Sequence, residues 1–237
     1  MGCIFKLQLI WLFLYGVVNI KGTMKGELYL LLGDVVASRK LDHREDFQKK
    51  LNQICSEVNQ RYKNDLYANM KIIKGADEIG CVFKSVKNTY EMLDFIWNEI
   101  QPQKMRFVLV HGLIDTAVST KDVSQMDGPA FHRASNMMVS LKKSGLLFEM
   151  SVGDDLTDAA LGGQVNLITM IKDSWSSRRR EIVRIYDEEG NQEIVADKMG
   201  ISQQAVSKNL KESMWDKIKP IEENLKVAMN LYSDRLE

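Results

Sequence analysis

The 237-residue chain has few of the residues that mark disulfide frameworks and zinc sites, since it contains only three cysteines and three histidines. The cysteines are odd in number and form no C-x-x-C pair, which is typical of small buried residues in a reducing compartment. Neither residue type has the spacing of metal ligands. The sequence therefore predicts neither a disulfide framework nor a zinc site.

The chain also lacks an excess of either charge, because 32 Lys and Arg residues balance 32 Asp and Glu residues. Zero net charge argues against a nucleic-acid coat protein and against a protein that coats a membrane surface. A charged partner must therefore be met by a local patch. Hydrophobic residues make up 45% of the chain, which is enough for the core of one large domain or two smaller ones.

No apolar run is long enough for a membrane-spanning helix. The most apolar stretch, residues 4–18, is interrupted by polar residues and is shorter than the roughly 20 residues that a spanning helix needs. It lacks a signal-peptide cleavage site and the Ser or Thr that myristoylation requires at position 6. We interpret residues 1–23 as an over-called start or, alternatively, as a short membrane-associated segment without stable insertion. We expect a cytoplasmic protein that starts at Met24.

Residues 24–173 show the patterns of an α+β domain. The apolar run at residues 28–32, which ends at Asp34, predicts a strand buried on both faces. The helical spacing after it predicts an amphipathic helix with Asp42 as its N-cap. Further patterns predict a hairpin over residues 72–83, a helix that stops before Pro102, a strand at 105–111, a helix after Gly128, a strand at 146–152 and a helix at 156–171. The first six elements follow the β-α-β-β-α-β order of ferredoxin-like domains.

Acidic residues are expected to meet at one edge of that sheet. Asp77 and Glu78 lie at the tip of the predicted hairpin, and Asp34 follows the first strand, which neighbours the hairpin in the ferredoxin-like order. Because nearby carboxylates repel one another unless a cation separates them, the three residues predict a Mg²⁺ or Mn²⁺ site. The alternative is that they are solvated turn residues without a ligand.

Three segments resemble known families. Residues 75–79, Gly-Ala-Asp-Glu-Ile, resemble the Gly-Gly-Asp-Glu-Phe turn of diguanylate cyclases, and Asp34 before a helix resembles the first metal-binding aspartate of class III nucleotidyl cyclases. Residues 33–39, Gly-Asp-Val-Val-Ala-Ser-Arg, and residues 127–131, Asp-Gly-Pro-Ala-Phe, resemble the SatD family of bacterial proteins. That resemblance implies a nucleotidyl-cyclase-like domain followed by a helix-turn-helix.

The resemblance also implies a nucleotide ligand, with Gly75, Ala76, His132 and Arg133 as candidate contacts. For the last two, exposed residues on a helix surface are the alternative. Asn136 stands where class III cyclases carry an arginine that stabilises the charge of phosphoryl transfer. Retained acids without that arginine favour a binding domain over a cyclase.

Residues 176–237 show helical patterns only. Within them, Ala196, Gly200 and Val206 have the spacing of a helix-turn-helix, in which a small residue allows close crossing and a glycine enters the turn. Ser202 is the expected N-cap of the second helix, whose outward residues suit contact with bases and phosphates. The candidate DNA-contacting residues are Gln203, Gln204, Ser207, Lys208 and Lys211, with a second basic cluster at Arg178, Arg179 and Arg180. Use of the helix pair for protein contacts is the alternative.

Beyond Pro220, apolar spacing predicts a last amphipathic helix that either packs on this module or forms a homodimer. The leading hypothesis is a cytoplasmic DNA-binding regulator with a nucleotide- or metal-sensing domain at residues 24–173 and a helix-turn-helix domain at residues 176–237. One alternative is a Mg²⁺-dependent nucleotidyl cyclase or related phosphoryl-transfer enzyme. A protein-interaction scaffold is the other.

Overall fold

The computed structural model describes residues 27–38, 41, 43–75 and 77–235. Residues 1–23, Asp42 and Ala76, on which some predictions depend, lie outside this range. The described chain is α+β, as predicted. Its elements are β1 (Glu27–Val35), α1 (Arg44–Arg61), β2 (Leu66–Lys74), β3 (Glu78–Phe83), α2 (Thr89–Glu99), β4 (Met105–Leu113), α3 (Pro129–Ser144), β5 (Phe148–Ser151), α4 (Asp155–Asp173), α5 (Ser177–Glu189), α6 (Gln192–Met199), α7 (Gln203–Glu212) and α8 (Trp215–Asp234).

The five strands form one mixed sheet in the order β2-β3-β1-β4-β5. Its pairs are antiparallel except for β4 and β5, which run parallel. Strand β1 lies at the centre, and the burial of Leu30, Leu31 and Leu32 explains its continuous apolar sequence. Gly33 next to them leaves room for a neighbouring side chain, since a Cβ there would lie 2.5 Å from Cε1 of Phe107.

Each face of the sheet has its own core. Leu31 and alternate residues of β1 pack with α1, α2, α4 and the C-terminal helices. Leu30 and Leu32 point to the other face, which is covered by α3 and by the β4–α3 connection. Alternate residues of β1 therefore serve two different helical layers, because side chains alternate across a strand.

The last helix differs from the prediction at its start. Helix α8 begins at Trp215 and includes Pro220, instead of starting beyond that proline. The proline lacks the N–H that would reach the carbonyl of Asp216, and both residues are exposed. Water can donate to that carbonyl, so the helix tolerates the proline in its second turn.

Helix α8 returns to the α/β layer, where it contacts α2 and α4. A buried charged network joins the three helices. Lys172 Nζ of α4 lies 2.7 Å from Asp94 Oδ1 of α2 and 2.5 Å from Glu222 Oε1 of α8. The hydroxyl of Tyr90 donates to the same Glu222 oxygen at 2.5 Å. No helix in the described part of the chain combines the length and the apolar character required to cross a bilayer.

Candidate functional site

A row of charged residues crosses the sheet at the end of β1. Asp34 pairs with Glu78 of β3 on one side and with Arg106 of β4 on the other, and Glu78 pairs in turn with Lys74 of β2. Residues paired in this way have side chains on the same face of an antiparallel sheet. We call Lys74, Glu78, Asp34 and Arg106 the charged row. The structure thus brings two of the three predicted metal ligands, Asp34 and Glu78, side by side.

Basic side chains already balance Asp34. Lys142, from the last turn of α3, places its Nζ 2.7 Å from Asp34 Oδ1, and Arg106 Nη1 lies 3.8 Å from Asp34 Oδ2. The Asp34 side chain is only 13% exposed. Partial burial raises the pKa of Glu78, and the nearby charge of Asp34 raises it further, while Lys74 and Lys142 oppose the shift. Glu78 therefore lies beside Asp34 with its ionised form disfavoured relative to an exposed glutamate.

Asp77 has a different role from its neighbours. Its carboxylate accepts a hydrogen bond from Ser38 Oγ at 2.5 Å, and its backbone oxygen accepts one from Val35 N at 3.0 Å. Gly75 turns the chain before it with φ of 61°, a backbone conformation that glycine adopts readily. The hairpin tip is thereby tied to the connection between β1 and α1.

Among residues 27–38, 41, 43–75 and 77–235, no group of three or more His, Cys, Asp or Glu side chains is arranged to hold a metal ion. Lys142 supplies positive charge where the sequence predicts a cation. A divalent ion bound through Asp34 Oδ1 would compete with Lys142 for that oxygen.

The two helix residues predicted to contact a ligand lie at the opposite end of α3 from Lys142. His132 and Arg133 are exposed near the start of α3, whereas Lys142 contacts Asp34 from its end. At 1.5 Å per residue, Arg133 and Lys142 are about 14 Å apart along the helix. Arg133 instead lines an open groove of about 570 Å³ between α3, β5 and α4.

Helices α6 and α7 form the predicted helix pair. Asn191 caps α6 through hydrogen bonds to its side chain, and Gly200 ends it with φ of 62°. Ser202 Oγ then accepts from Ala205 N at 3.2 Å and starts α7 as predicted. Val206 and Leu210 are buried against the neighbouring helices. The remaining side of α7 exposes all five predicted contact residues, namely Gln203, Gln204, Ser207, Lys208 and Lys211.

The arginine cluster that precedes this helix pair consists of Arg178, Arg179 and Arg180. Two of these side chains form ion pairs within the protein, and one is exposed to solvent. Arg179 forms an ion pair with Glu212 at the end of α7, and its side chain is 22% exposed. Arg180 Nη2 lies 3.8 Å from Asp173 Oδ1, and burial lowers the pKa of its guanidinium. Arg178 is exposed. Two of the three arginines therefore hold helices together, and Arg178 faces solvent.

The sequence patterns did not predict two structural features. The Asn166 side chain of α4 accepts from Phe148 N at 3.1 Å and donates to Phe148 O at 2.8 Å, which caps the outer edge of β5. The network around Lys172 and Glu222 is the other feature. Both Asn166 and Glu222 lie at buried positions of their helices, and a polar residue within an apolar helical stripe was the available signal.

Comparison with curated proteins gives no significant match. The model of the SatD family matches residues 29–232, a range that contains the charged row, both helices of the α6–α7 pair and the network that joins α8 to the sheet layer. Because this match covers most of the chain, the protein belongs to the SatD family.

Proposed function

We propose that this protein is a DNA-binding regulator that contacts DNA through α7. The observation that carries the proposal is the division of α7 into a buried apolar side and an exposed polar side, described above. Glutamine can pair with an adenine edge, and serine and lysine can contact phosphates. Helices α5, α6 and α7 contact one another, as a compact helix-turn-helix unit requires.

The exposed lysines on and near α7 support a local basic patch for contact with phosphates. Lys208 and Lys211 are exposed on the helix, and Lys217 is exposed in the first turn of α8. The ion pair from Lys208 Nζ to Glu212 Oε1 is long, at 3.9 Å, so it competes weakly with a phosphate. Lys198 and Lys219, by contrast, pair closely with Glu189 and Asp187. We therefore assign the phosphate contacts to Lys208 and Lys211.

Fluorescence anisotropy with genomic DNA fragments at several salt concentrations tests this assignment. Lys208→Ala should weaken binding to all sequences and reduce the salt slope by about 1. Gln204→Ala should reduce discrimination between sequences by about 1–3 kcal/mol. Lys49→Ala is the matched control, since Lys49 is 78% and Lys208 76% exposed and each has one weak helical ion pair. Binding without salt dependence, or equal losses in control and test variants, would refute the DNA role.

We further propose that the α/β domain is ferredoxin-like and nucleotidyl-cyclase-like, and that it senses a nucleotide or a metal ion. The strand order β4-β1-β3-β2 with antiparallel pairing supports the fold assignment. The juxtaposition of Asp34 and Glu78 supports a cation-responsive site, with Lys142 as the competitor. Mg²⁺, Mn²⁺, ATP and GTP should be tested for a shift in melting temperature and for a change in DNA affinity. If none of them alters either quantity in the wild type or in Lys142→Met, the sensing role is wrong.

The alternative is a Mg²⁺-dependent phosphoryl-transfer enzyme that uses the same carboxylates. Incubation with ATP or GTP and Mn²⁺ distinguishes it from the regulator. Turnover that is lost in Asp34→Asn but retained in Lys208→Ala would favour the enzyme. Absence of turnover, together with salt-dependent DNA binding, is expected for the regulator.

A further inference from the structure

Helix α4 has two apolar sides, and the described residues of the chain cover only one of them. Val165 and Ile168 are buried between the sheet and α8. On the opposite side, Leu156 is 77%, Leu167 64% and Met170 61% exposed. The residues between them on this side are small. We call the set the outer strip of α4, and it consists of Leu156, Ala159, Ala160, Gly163, Leu167 and Met170.

Single exposed hydrophobic residues are ordinary, but a contiguous strip along one helix marks an interaction surface. The strip extends about 21 Å from Leu156 to Met170 at 1.5 Å per residue. Helix amphipathicity in a monomer would place polar residues at these positions. A partner that covers the strip would remove its apolar surface from water.

Gly163 is the second observation. Glycine in a helix interior disfavours the helix relative to alanine, so its presence needs a reason. Within residues 27–38, 41, 43–75 and 77–235, a Cβ at Gly163 would have no heavy atom within 4 Å, whereas one at Gly162 would lie 3.4 Å from Cγ of Met150. The described part of the chain therefore offers a contact for a side chain at residue 162 but none for one at residue 163. Close approach of another backbone from outside would explain it.

A partner could also bind by adding a strand to the edge of the sheet. The edge next to α4 is formed by β5, and its backbone groups are largely occupied. The outward backbone groups of Phe148 bind Asn166, as described above. Val152 N donates to Asp158 Oδ1 at 2.8 Å, and Val152 O accepts from Tyr232. A partner at this side of the molecule must therefore meet the helix and not the strand.

We propose that the outer strip of α4 is the interface of a homodimer, in which two copies of α4 cross antiparallel about a twofold axis at Gly163. A twofold interface requires that one patch complement itself. Antiparallel pairing centred on Gly163 places Leu167 of each copy over Ala159 of the other, and Met170 over Leu156. Large residues thus meet small ones at the middle of the contact, and the two glycines meet on the axis.

The surface area of the outer strip determines how strongly we expect the two copies to associate. A stable interface buries about 800 Å² on each partner, which is more than one helix face of this length provides. The adjoining groove, lined by Met137 and Leu146, adds apolar surface to the contact. We therefore expect a reversible dimer with a dissociation constant in the micromolar range. This dimer does not depend on the proposed DNA binding.

Analytical ultracentrifugation of the full chain without DNA, from about 1 to 100 µM, tests the proposal across the micromolar range. The wild type should change from monomer to dimer with concentration, and Leu167→Glu should raise the dissociation constant at least about tenfold. Leu231→Glu on α8 is the matched control, because Leu231 is 54% exposed and lies outside the strip. A wild type that stays monomeric, or a dimer broken by Leu231→Glu instead, would overturn the proposal.

Two further variants test the axis. Gly163→Ala should stabilise the helix and leave the melting temperature of the dilute protein equal or higher, yet weaken dimerisation by placing methyl groups where the helices are closest. Gly163→Cys in a Cys3→Ser background should form a disulfide-linked dimer, because the two copies of the residue meet and Cys55 and Cys81 are buried. Val227→Cys, on the exposed face of α8, should not. Linkage at residue 227 but not at residue 163 would exclude the proposed axis.

Discussion

The buried network around Lys172 supports a sharp prediction for Lys172→Met, which keeps an apolar stem but removes the charge. The Lys172 side chain is 15% exposed, and those of Glu222 and Asp94 are 11% and 28% exposed. Without the ammonium group, the largely buried carboxylate of Glu222 and the partly buried carboxylate of Asp94 lose the cation between them. Removal of one partner of a buried ion pair costs about 3–5 kcal/mol. For a protein of this size, each kcal/mol lowers the melting temperature by about 2–4 °C, so the loss should be about 6–20 °C.

Thermal and urea denaturation, followed by circular dichroism, measure this loss. Lys226→Met is the matched control, since Lys226 also bridges α8 to α2 but its partners Glu223 and Glu91 are 52% and 44% exposed. Exposed pairs contribute about 0–1 kcal/mol. Addition of Glu222→Gln to Lys172→Met should cost less than the sum of the two single changes, because it removes a carboxylate that the first change left without its cation. Equal losses for Lys172→Met and Lys226→Met would contradict the assignment of the network as a stabilising contact.

The pH dependence of the network follows from the pKa of Lys172. Burial lowers this pKa, but the charges of Asp94 and Glu222 outweigh burial, so that the net shift is upward. A lysine with a raised pKa stabilises the folded state fully below its unfolded pKa of about 10.4 and loses that contribution as the pH rises through the folded pKa. The contribution of the Lys172 ammonium group, measured as the stability difference between wild type and Lys172→Met, should therefore shrink as the pH rises through the folded pKa in strong alkali.

Three changes in the sheet give further predictions. Asp34→Asn should lower the free energy of unfolding by about 1.5–3 kcal/mol in urea titrations, since Lys142 and Arg106 lose their shared carboxylate. Glu78→Gln should leave the melting temperature at pH 7 equal or higher. The raised pKa of Glu78 makes the folded state lose stability as the pH rises from about 4.3 through the folded pKa, and the variant should lack that decline. Gly33→Ala should cost about 1–3 kcal/mol by crowding Phe107, whereas Gly163→Ala should cost nothing. A Gly33→Ala protein whose free energy of unfolding equals that of the wild type would show that the Phe107 ring moves aside without cost.

Local signals in the sequence were sufficient to predict many helix ends. Ser202 caps α7 with a side-chain hydrogen bond at 3.2 Å, and Gly200 follows α6 with positive φ. The buried strand at the centre of the sheet was equally accessible, because an apolar run between glycines leaves few alternatives. These features depend on residues within a few positions of one another.

Long-range contacts were not accessible in the same way. The close approach of Asp34 to Glu78 was predicted from the expected strand order, but the countercharges were not. Lys142 is 108 residues from Asp34 in the chain, and nothing in the local pattern around residue 142 indicates an acidic partner. Tertiary structure alone determines which basic side chain reaches a given carboxylate, so the sequence indicated the acidic residues at this edge of the sheet but not the lysine that pairs with Asp34.

The sequence pattern changes to helices alone from Ser176, but contacts join the segments on the two sides of this point. Asp173 at the end of α4 is bound by Lys104, which precedes β4, and by Arg180 of α5. Leu225 and Met229 of α8 are buried against the α/β layer. A fragment limited to residues 176–237 would expose both apolar residues and leave Glu222 without Lys172. The folding of α8, and with it the support that α8 gives to α7, therefore depends on the sheet layer, and the proposed binding of α7 to DNA has to be measured with the full chain.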